Sequence, residues 1–197
     1  MKSFSNILFL LFFSGLSTQA QSLSNLESIY NLIGKSTEAI AAELDSGKEY
    51  NIEYHSPEEY LILKNIVLDK LKERTGAGFI EKDNGNRLNY TVSEAGVRYE
   101  DIFRKGFLGS FYAERKVFLS GSYSLSAENK IIDTGEFYYS GKDTVKNSSL
   151  ASLESSALPF TKSERPTEPF FSSLLEPAVA IGTAAITIFL FFSVRSK

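Results

Sequence analysis

Residues 87–99 read RLNYTVSEAGVRY. Leu88, Tyr90 and Val92 alternate with polar residues on even positions, whereas Ala95, Val97 and Tyr99 alternate on odd ones. A period of two is the pattern of a strand with one buried face. The change of parity at Ser93-Glu94 marks either a β-bulge, which absorbs one extra residue, or a turn between two strands. In both cases the middle of the chain is β.

Upstream the period changes to that of a helix. In residues 24–45, Leu26, Ile29, Tyr30, Ile33, Thr37, Ile40, Ala41 and Leu44 recur at steps of three and four. Ser24 or Asn25 is suited to cap this helix, and Ser46-Gly47 to end it. Tyr50–Tyr54 alternates and predicts a short strand. A second helix follows, with Ser56 as N-cap, Pro57 at its first position and Glu59 completing a capping box. Its apolar residues, from Tyr60 to Leu71, cover more than one face, so it is expected to be the most buried helix.

Downstream, Asp83-Asn84-Gly85-Asn86 is a turn signal. Residues 100–115 are ambiguous, with breaks at Gly106 and Gly109. Val117, Leu119, Gly121, Tyr123 and Leu125 form one strand face, Ala127-Glu128-Asn129 turns the chain, and Lys130–Ser140 returns as the second arm of a β-hairpin. The expected class is α+β, with two N-terminal helices packed on one face of a small, mainly antiparallel β-sheet.

The two ends carry other signals. MKSFSNILFLLFFSGLSTQA has Lys2 as a positive start, Ile7–Phe13 as an apolar stretch and small residues at Thr18 and Ala20. This is the grammar of a signal peptide over residues 1–20. At the other end, Ala178–Val194 is 17 residues without a charge. At about 1.5 Å per residue it reaches roughly 25 Å, the low end of what crosses a bilayer. A transmembrane helix is expected over residues 174–194, with Pro177 in its first turn and a basic tail, 195–197, on the cytoplasmic side. The alternative is a core helix or strand, which AITIFLFFSV would also suit. Leu158-Pro159-Phe160-Thr161-Lys162 approaches a sorting motif but has Lys162 where glycine is required. Between domain and helix, residues 141–173 are rich in Ser, Thr and Pro and read as a flexible tether from an extracytoplasmic domain spanning residues 23–140.

Composition narrows the chemistry. The net charge is −3, and loss of Lys2 with the leader leaves −4, so nucleic acid is not an expected partner. With no cysteine, disulfides, thiolate catalysis and zinc–thiolate sites are excluded. His55, the one histidine, lies beside Ser56, Glu58 and Glu59, but no nucleophile elbow accompanies it and one histidine makes a poor metal site. Glu58 and Glu59, as helix neighbours, point about 100° apart and are explained by capping. Gly135–Asp143 has five residues between its glycines and Asp143 after Lys142, which does not fit a phosphate loop. No catalytic residue, cofactor or metal ligand is assigned.

One stretch interleaves bases with aromatics. Arg98, Tyr99, Phe103, Arg104, Lys105, Phe107, Phe111, Tyr112 and Arg115 are the candidate partner-contact surface, the alternative being core aromatics beside solvated charges. The reading is a non-enzymatic, membrane-anchored cell-envelope protein whose exported domain contacts another envelope protein. A module for lipid or a small apolar ligand is the alternative.

Overall fold

A computed structural model of the chain describes residues 22–45, 48–75, 85–106, 109–128, 130–168 and 170–195. The proposed leader, residues 1–20, and the Ser46-Gly47 helix stop lie outside the described residues.

Helix α1 spans Asn25–Ala41. Ser24 caps it: its hydroxyl accepts from the Glu27 backbone N–H, while the Glu27 carboxylate accepts from the Ser24 N–H at 2.8 Å. Both bonds satisfy donors that a helix start leaves open. Ile29, Leu32, Ile33 and Ile40 form its buried stripe, each contributing about 1.5–3 kcal/mol by leaving water. Ser36 is buried in that stripe and shares a 2.6 Å hydrogen bond with the Tyr90 hydroxyl, which bolts α1 to the sheet. Burial of Tyr90 pushes its phenol well above the usual range.

The sheet has four strands in sequence order: β1 (Asn51–His55), β2 (Arg87–Arg104), β3 (Phe111–Ala127) and β4 (Lys130–Lys146). β2–β3 and β3–β4 pair antiparallel, but β1 runs parallel to β2, so the sheet is mixed. A parallel pair needs a crossover. That crossover carries the second helix, so among the described residues only α1 precedes the first strand and the expected pair of N-terminal helices is matched only in part.

The crossover also starts differently from expectation. Glu58–Leu63 is a 3₁₀ turn without a side-chain cap, and the Ser56 hydroxyl donates to the Pro57 carbonyl instead of capping. Tyr60 and Leu63, three apart, share one face of that turn and are buried. Helix α2, Lys64–Thr75, continues the line with Val67 and Leu71 at four-residue steps. Leu61 and Ile62 are left about half exposed, at 53% and 50%, so α1 rather than this segment is the more buried helix. α2 packs chiefly on α1, and Arg74 reaches Glu38 at 2.8 Å.

The parity change in β2 is a bulge within one continuous strand. Val92 pairs with Gly121 and Glu94 with Ser120, which leaves Ser93 as the extra residue. Leu88, Tyr90, Val92, Ala95, Val97 and Tyr99 consequently all face the helices and are buried. The kinked backbone presses on its neighbour: a Cβ at Gly121 would lie 2.0 Å from the Thr91 carbonyl oxygen. Among the described residues, α1, α2 and the crossover turn cover one face. The other face carries Ser120, Ser122, Ser124, Thr134, Glu136, Tyr138 and Ser140, the alternate set along β3 and β4.

Residues 141–161, expected as the first part of a tether, are structured. β4 runs to Lys146, a turn at Asn147–Ser149 leads to the short helix α3 (Leu150–Leu153), and a further turn spans Pro159–Thr161. Leu150, Leu153 and Phe160 are buried in the core, with Phe160 edge-on to Tyr60 at 5.4 Å. This strap ends at Thr161.

Helix α4 spans Phe170–Arg195, so Pro177 lies inside it rather than in its first turn. Pro177–Val194 has a mean hydropathy of 2.1 and none of it is buried by the rest of the protein. The core-helix alternative therefore fails: Ile181, Phe189 and Val194 are 69%, 70% and 75% exposed. Thr183 and Thr187 donate their hydroxyls to Val179 and Thr183 carbonyls at 2.8 Å, so they present no open donor. α4 is long and apolar enough to cross a membrane.

Gly121→Ala is expected to cost at least about 3 kcal/mol, the upper range for overpacking, because backbone must move. Gly141→Ala, where a Cβ meets nothing within 4 Å, should be neutral or stabilising by up to about 1 kcal/mol. Urea melts of the detergent-solubilised chain distinguish the two.

Candidate functional site

The most unusual side chain on the sheet is Arg115. It stands in β3 between Ala113 and Val117, on the helix-covered face, and is only 2% exposed. Asp143 is its cross-strand partner in β4. The guanidinium meets that carboxylate with two prongs, Nε to Oδ1 at 2.8 Å and Nη2 to Oδ2 at 2.5 Å. Nη1 donates to the Leu23 carbonyl at 2.7 Å and to Asn25 Oδ1 at 2.8 Å. The Asn25 amide, fully buried, in turn donates to the Tyr99 hydroxyl and the Thr161 carbonyl, both at 2.8 Å. One arginine thus joins the start of α1, three strands and the end of the strap. Burial raises the Tyr99 phenol above its ordinary pKa.

This network places two of the candidate contact residues, Tyr99 and Arg115, inside the protein rather than on a surface. Arg98 lies on the open face of the sheet, its guanidinium 5.1 Å from the centre of the Phe118 ring. Phe118 itself covers Gly96, where a Cβ would approach it to 2.9 Å.

The remaining candidates gather at the far end of the β2–β3 hairpin. A second bulge at Asp101, which has a positive φ of 23°, shifts the register between Glu100 and Ile102. The shift puts Phe103 opposite Tyr112 and Arg104 opposite Phe111. The Phe103 and Tyr112 rings stack with centroids 6.2 Å apart. Arg104 lies 4.9 Å over the Phe111 ring and donates through Nε to the Gly109 carbonyl at 2.8 Å. The Lys105 ammonium sits 6.0 Å over Tyr112. Phe103 is 44% exposed, and Lys105 is exposed. Phe107 lies outside the described residues. The tip therefore carries a pair of aromatic–cation contacts at one end of the sheet.

Beside the tip, on the open face, Lys142 bridges Glu100 at 3.0 Å and also binds Glu114. The Glu114 bond is the largest cause of its raised pKa, and the Lys142 bond holds Glu100 below the usual carboxylate range. An open groove of about 780 Å³ runs between Leu23, Ser24 and Glu27 at the start of α1 and Tyr112, Thr144 and Lys146 on the strands.

The other residues considered in sequence fall apart in space. His55 ends β1, exposed, with Nε2 3.7 Å from Glu53. Glu58 and Glu59 are exposed in the 3₁₀ turn. Gly135–Asp143 is part of β4 and forms no loop. Among the described residues, no three His, Asp or Glu side chains gather as a metal site. No protein-family model and no curated protein matches the chain.

Loss of Asp143 should hurt more than loss of Arg115. Asp143→Ala strands a buried cation, and because Asp143 is 46% exposed and water can enter the vacated space, its expected cost is about 3 kcal/mol, the low end for a broken buried pair. Arg115→Met leaves a carboxylate that water reaches, so its cost is about 1–3 kcal/mol from the unpaired Asn25 oxygen. Denaturant melts of both variants provide the comparison.

The Lys142 triad gives a pH window. A raised lysine stabilises below its ordinary 10.5 and loses that effect as pH rises through the folded value, whereas a lowered glutamate stabilises above 4.5 and loses it as pH falls. The stability gap between the parent and Lys142→Met is thus expected to be level from about pH 5 to 10 and to shrink on both sides. Melting temperatures across pH test it.

Proposed function

We propose that this chain is a single-pass membrane protein of the cell envelope, exported by residues 1–20 and held by α4. Its α+β domain is a non-enzymatic interaction or assembly module that binds another envelope protein. The export reading rests on the leader sequence, and the orientation on Arg195 and Lys197 following the apolar run.

One observation carries the interaction reading. β4 is 17 residues long and occupies the edge of the sheet, with β3 as its one strand neighbour among the described residues. Among the described residues no backbone hydrogen bond joins its outer side to another segment. Such an edge is a template for an added strand, and soluble proteins usually shield edges of this length. Tyr138, Ile131 and Ile132 are large, exposed side chains along it and suit a partner of extended, partly apolar sequence. The alternative, a lipid or small-ligand module, is less favoured because the helix–sheet interior is filled by core side chains.

The absence of cysteine makes the test direct. Thr134→Cys, Glu136→Cys or Tyr138→Cys, each alone in the full chain, should give one discrete, stoichiometric cross-linked species in intact cells. Lys72→Cys, on α2, should not. Equal cross-linking at all four positions, or none, contradicts strand addition. For the anchor, the full chain should stay with membranes after alkaline carbonate washing, while a chain shortened at Glu176 is released.

A further inference from the structure

The segment that follows the strap returns to the side of the hairpin tip shortly before α4. Lys146 is the cross-strand partner of Tyr112, and the next residue, Asn147, donates its side-chain amide to the Glu168 carboxylate at 2.7 Å. Arg165 also pairs with Glu154 of the strap at 2.9 Å. α4 begins two residues after Glu168, at Phe170, and its apolar window begins at Pro177. Seven residues of helix rise only about 10 Å, a few ångströms more than one headgroup layer of about 5–7 Å. With the apolar window in hydrocarbon, the end of the domain that bears Asn147 and Tyr112 therefore stands at the lipid surface.

What that end displays is chemically suited to the place. Phe103 and Tyr112 offer stacked rings of the kind enriched at the membrane interface. Arg104 and Lys105 add two cations over aromatic faces, and basic residues near an anionic leaflet are drawn to its phosphates. Arg104, anchored to the Gly109 carbonyl, holds the tip in shape.

We infer that the β2–β3 tip, formed by Phe103, Arg104, Lys105, Phe111 and Tyr112, is a second membrane contact that docks on anionic phospholipid headgroups beside α4. Two contacts, tip and helix, fix the tilt of the domain on the bilayer and hold the β4 edge at a defined angle to the surface. The inference rests on α4 spanning the bilayer, as proposed above.

The chain has no tryptophan, so one introduced indole reports on one place. Phe103→Trp and, as a control on the open face, Tyr138→Trp are each made in the full chain and reconstituted into vesicles. The vesicles are phosphatidylcholine with or without phosphatidylglycerol, and brominated lipid serves as quencher. Flotation after carbonate washing is scored in the same samples. Docking predicts that the indole of the Phe103→Trp chain is quenched at least about twice as strongly as that of the Tyr138→Trp chain in anionic vesicles. Adding Lys105→Glu, an exposed change, should weaken the tip quenching, since each cation near the surface is worth roughly a fivefold preference. If the tip indole is quenched no more than the control indole while the chain still floats, the tip inference is overturned and the anchor reading stands. If the chain fails to float, the anchor reading itself falls and takes this inference with it. Quenching indifferent to both phosphatidylglycerol and Lys105→Glu overturns the headgroup contact. So does a tip that cross-links to a protein in native membranes without being quenched in vesicles.

Discussion

The Arg115–Asp143 pair is the joint on which the arrangement depends. A cation buried on the core face of a sheet is costly unless every donor finds an acceptor. Arg115 meets that demand by collecting groups from distant parts of the chain: Leu23 and Asn25 from the start of the helix, Asp143 from the edge strand. Asn25 extends the reach to Tyr99 and Thr161. The requirement of one guanidinium therefore fixes where the chain enters the domain, how β4 is registered on β3, and where the strap closes. Apolar packing supplies most of the free energy, but it is not directional. The hydrogen bonds are directional, and an arrangement that left this guanidinium or Asn25 without its partners would carry the desolvation cost uncompensated.

Local pattern and long-range pairing differ in how well the sequence reveals them. The parity change at Ser93 was legible because a bulge alters a period of two within a few residues. The β3–β4 hairpin was legible for the same reason, through its alternation and the turn at Ala127–Glu128. The central pairing of β2 with β3 was not, because residues 100–115, which join the two strands, carry no clear period and Arg115 stands where alternation demands an apolar residue. The parallel partner of β1 was equally hidden, since parallel pairing leaves no adjacent turn. In the strap, serine-rich composition concealed Leu150, Leu153 and Phe160, three apolar residues that suffice to hold it down.

The candidate surface shows the same limit. Bases among aromatics are visible in the sequence at 98–115, but composition does not say which side of a strand each residue takes. The bulge at Asp101 decides that for Phe103. The core decides it for Tyr99 and Arg115, which belong to the interior despite their sequence company. Burial and display along β2 and β3 thus follow from two extra residues in the ladder, neither of which has a strong compositional mark. The open edge of β4 has no sequence mark either, because an edge is defined by the strand that is missing.

The strap also sets how the domain responds to mechanical load. A pull from the C-terminal side meets the exposed Glu168–Asn147 and Arg165–Glu154 contacts first and then Thr161, whose carbonyl is fastened to the buried Asn25. Without both that clasp and the buried strap side chains, the same pull would reach β4 at Lys146 and peel it from β3 one rung at a time, the weakest direction in which a ladder can be loaded. With the clasp closed, the buried side chains of the strap must be extracted together before any rung is exposed. The strap thus stands between the C-terminal side of the chain and the last rung of β4, and a load has to undo it before the edge strand is reached.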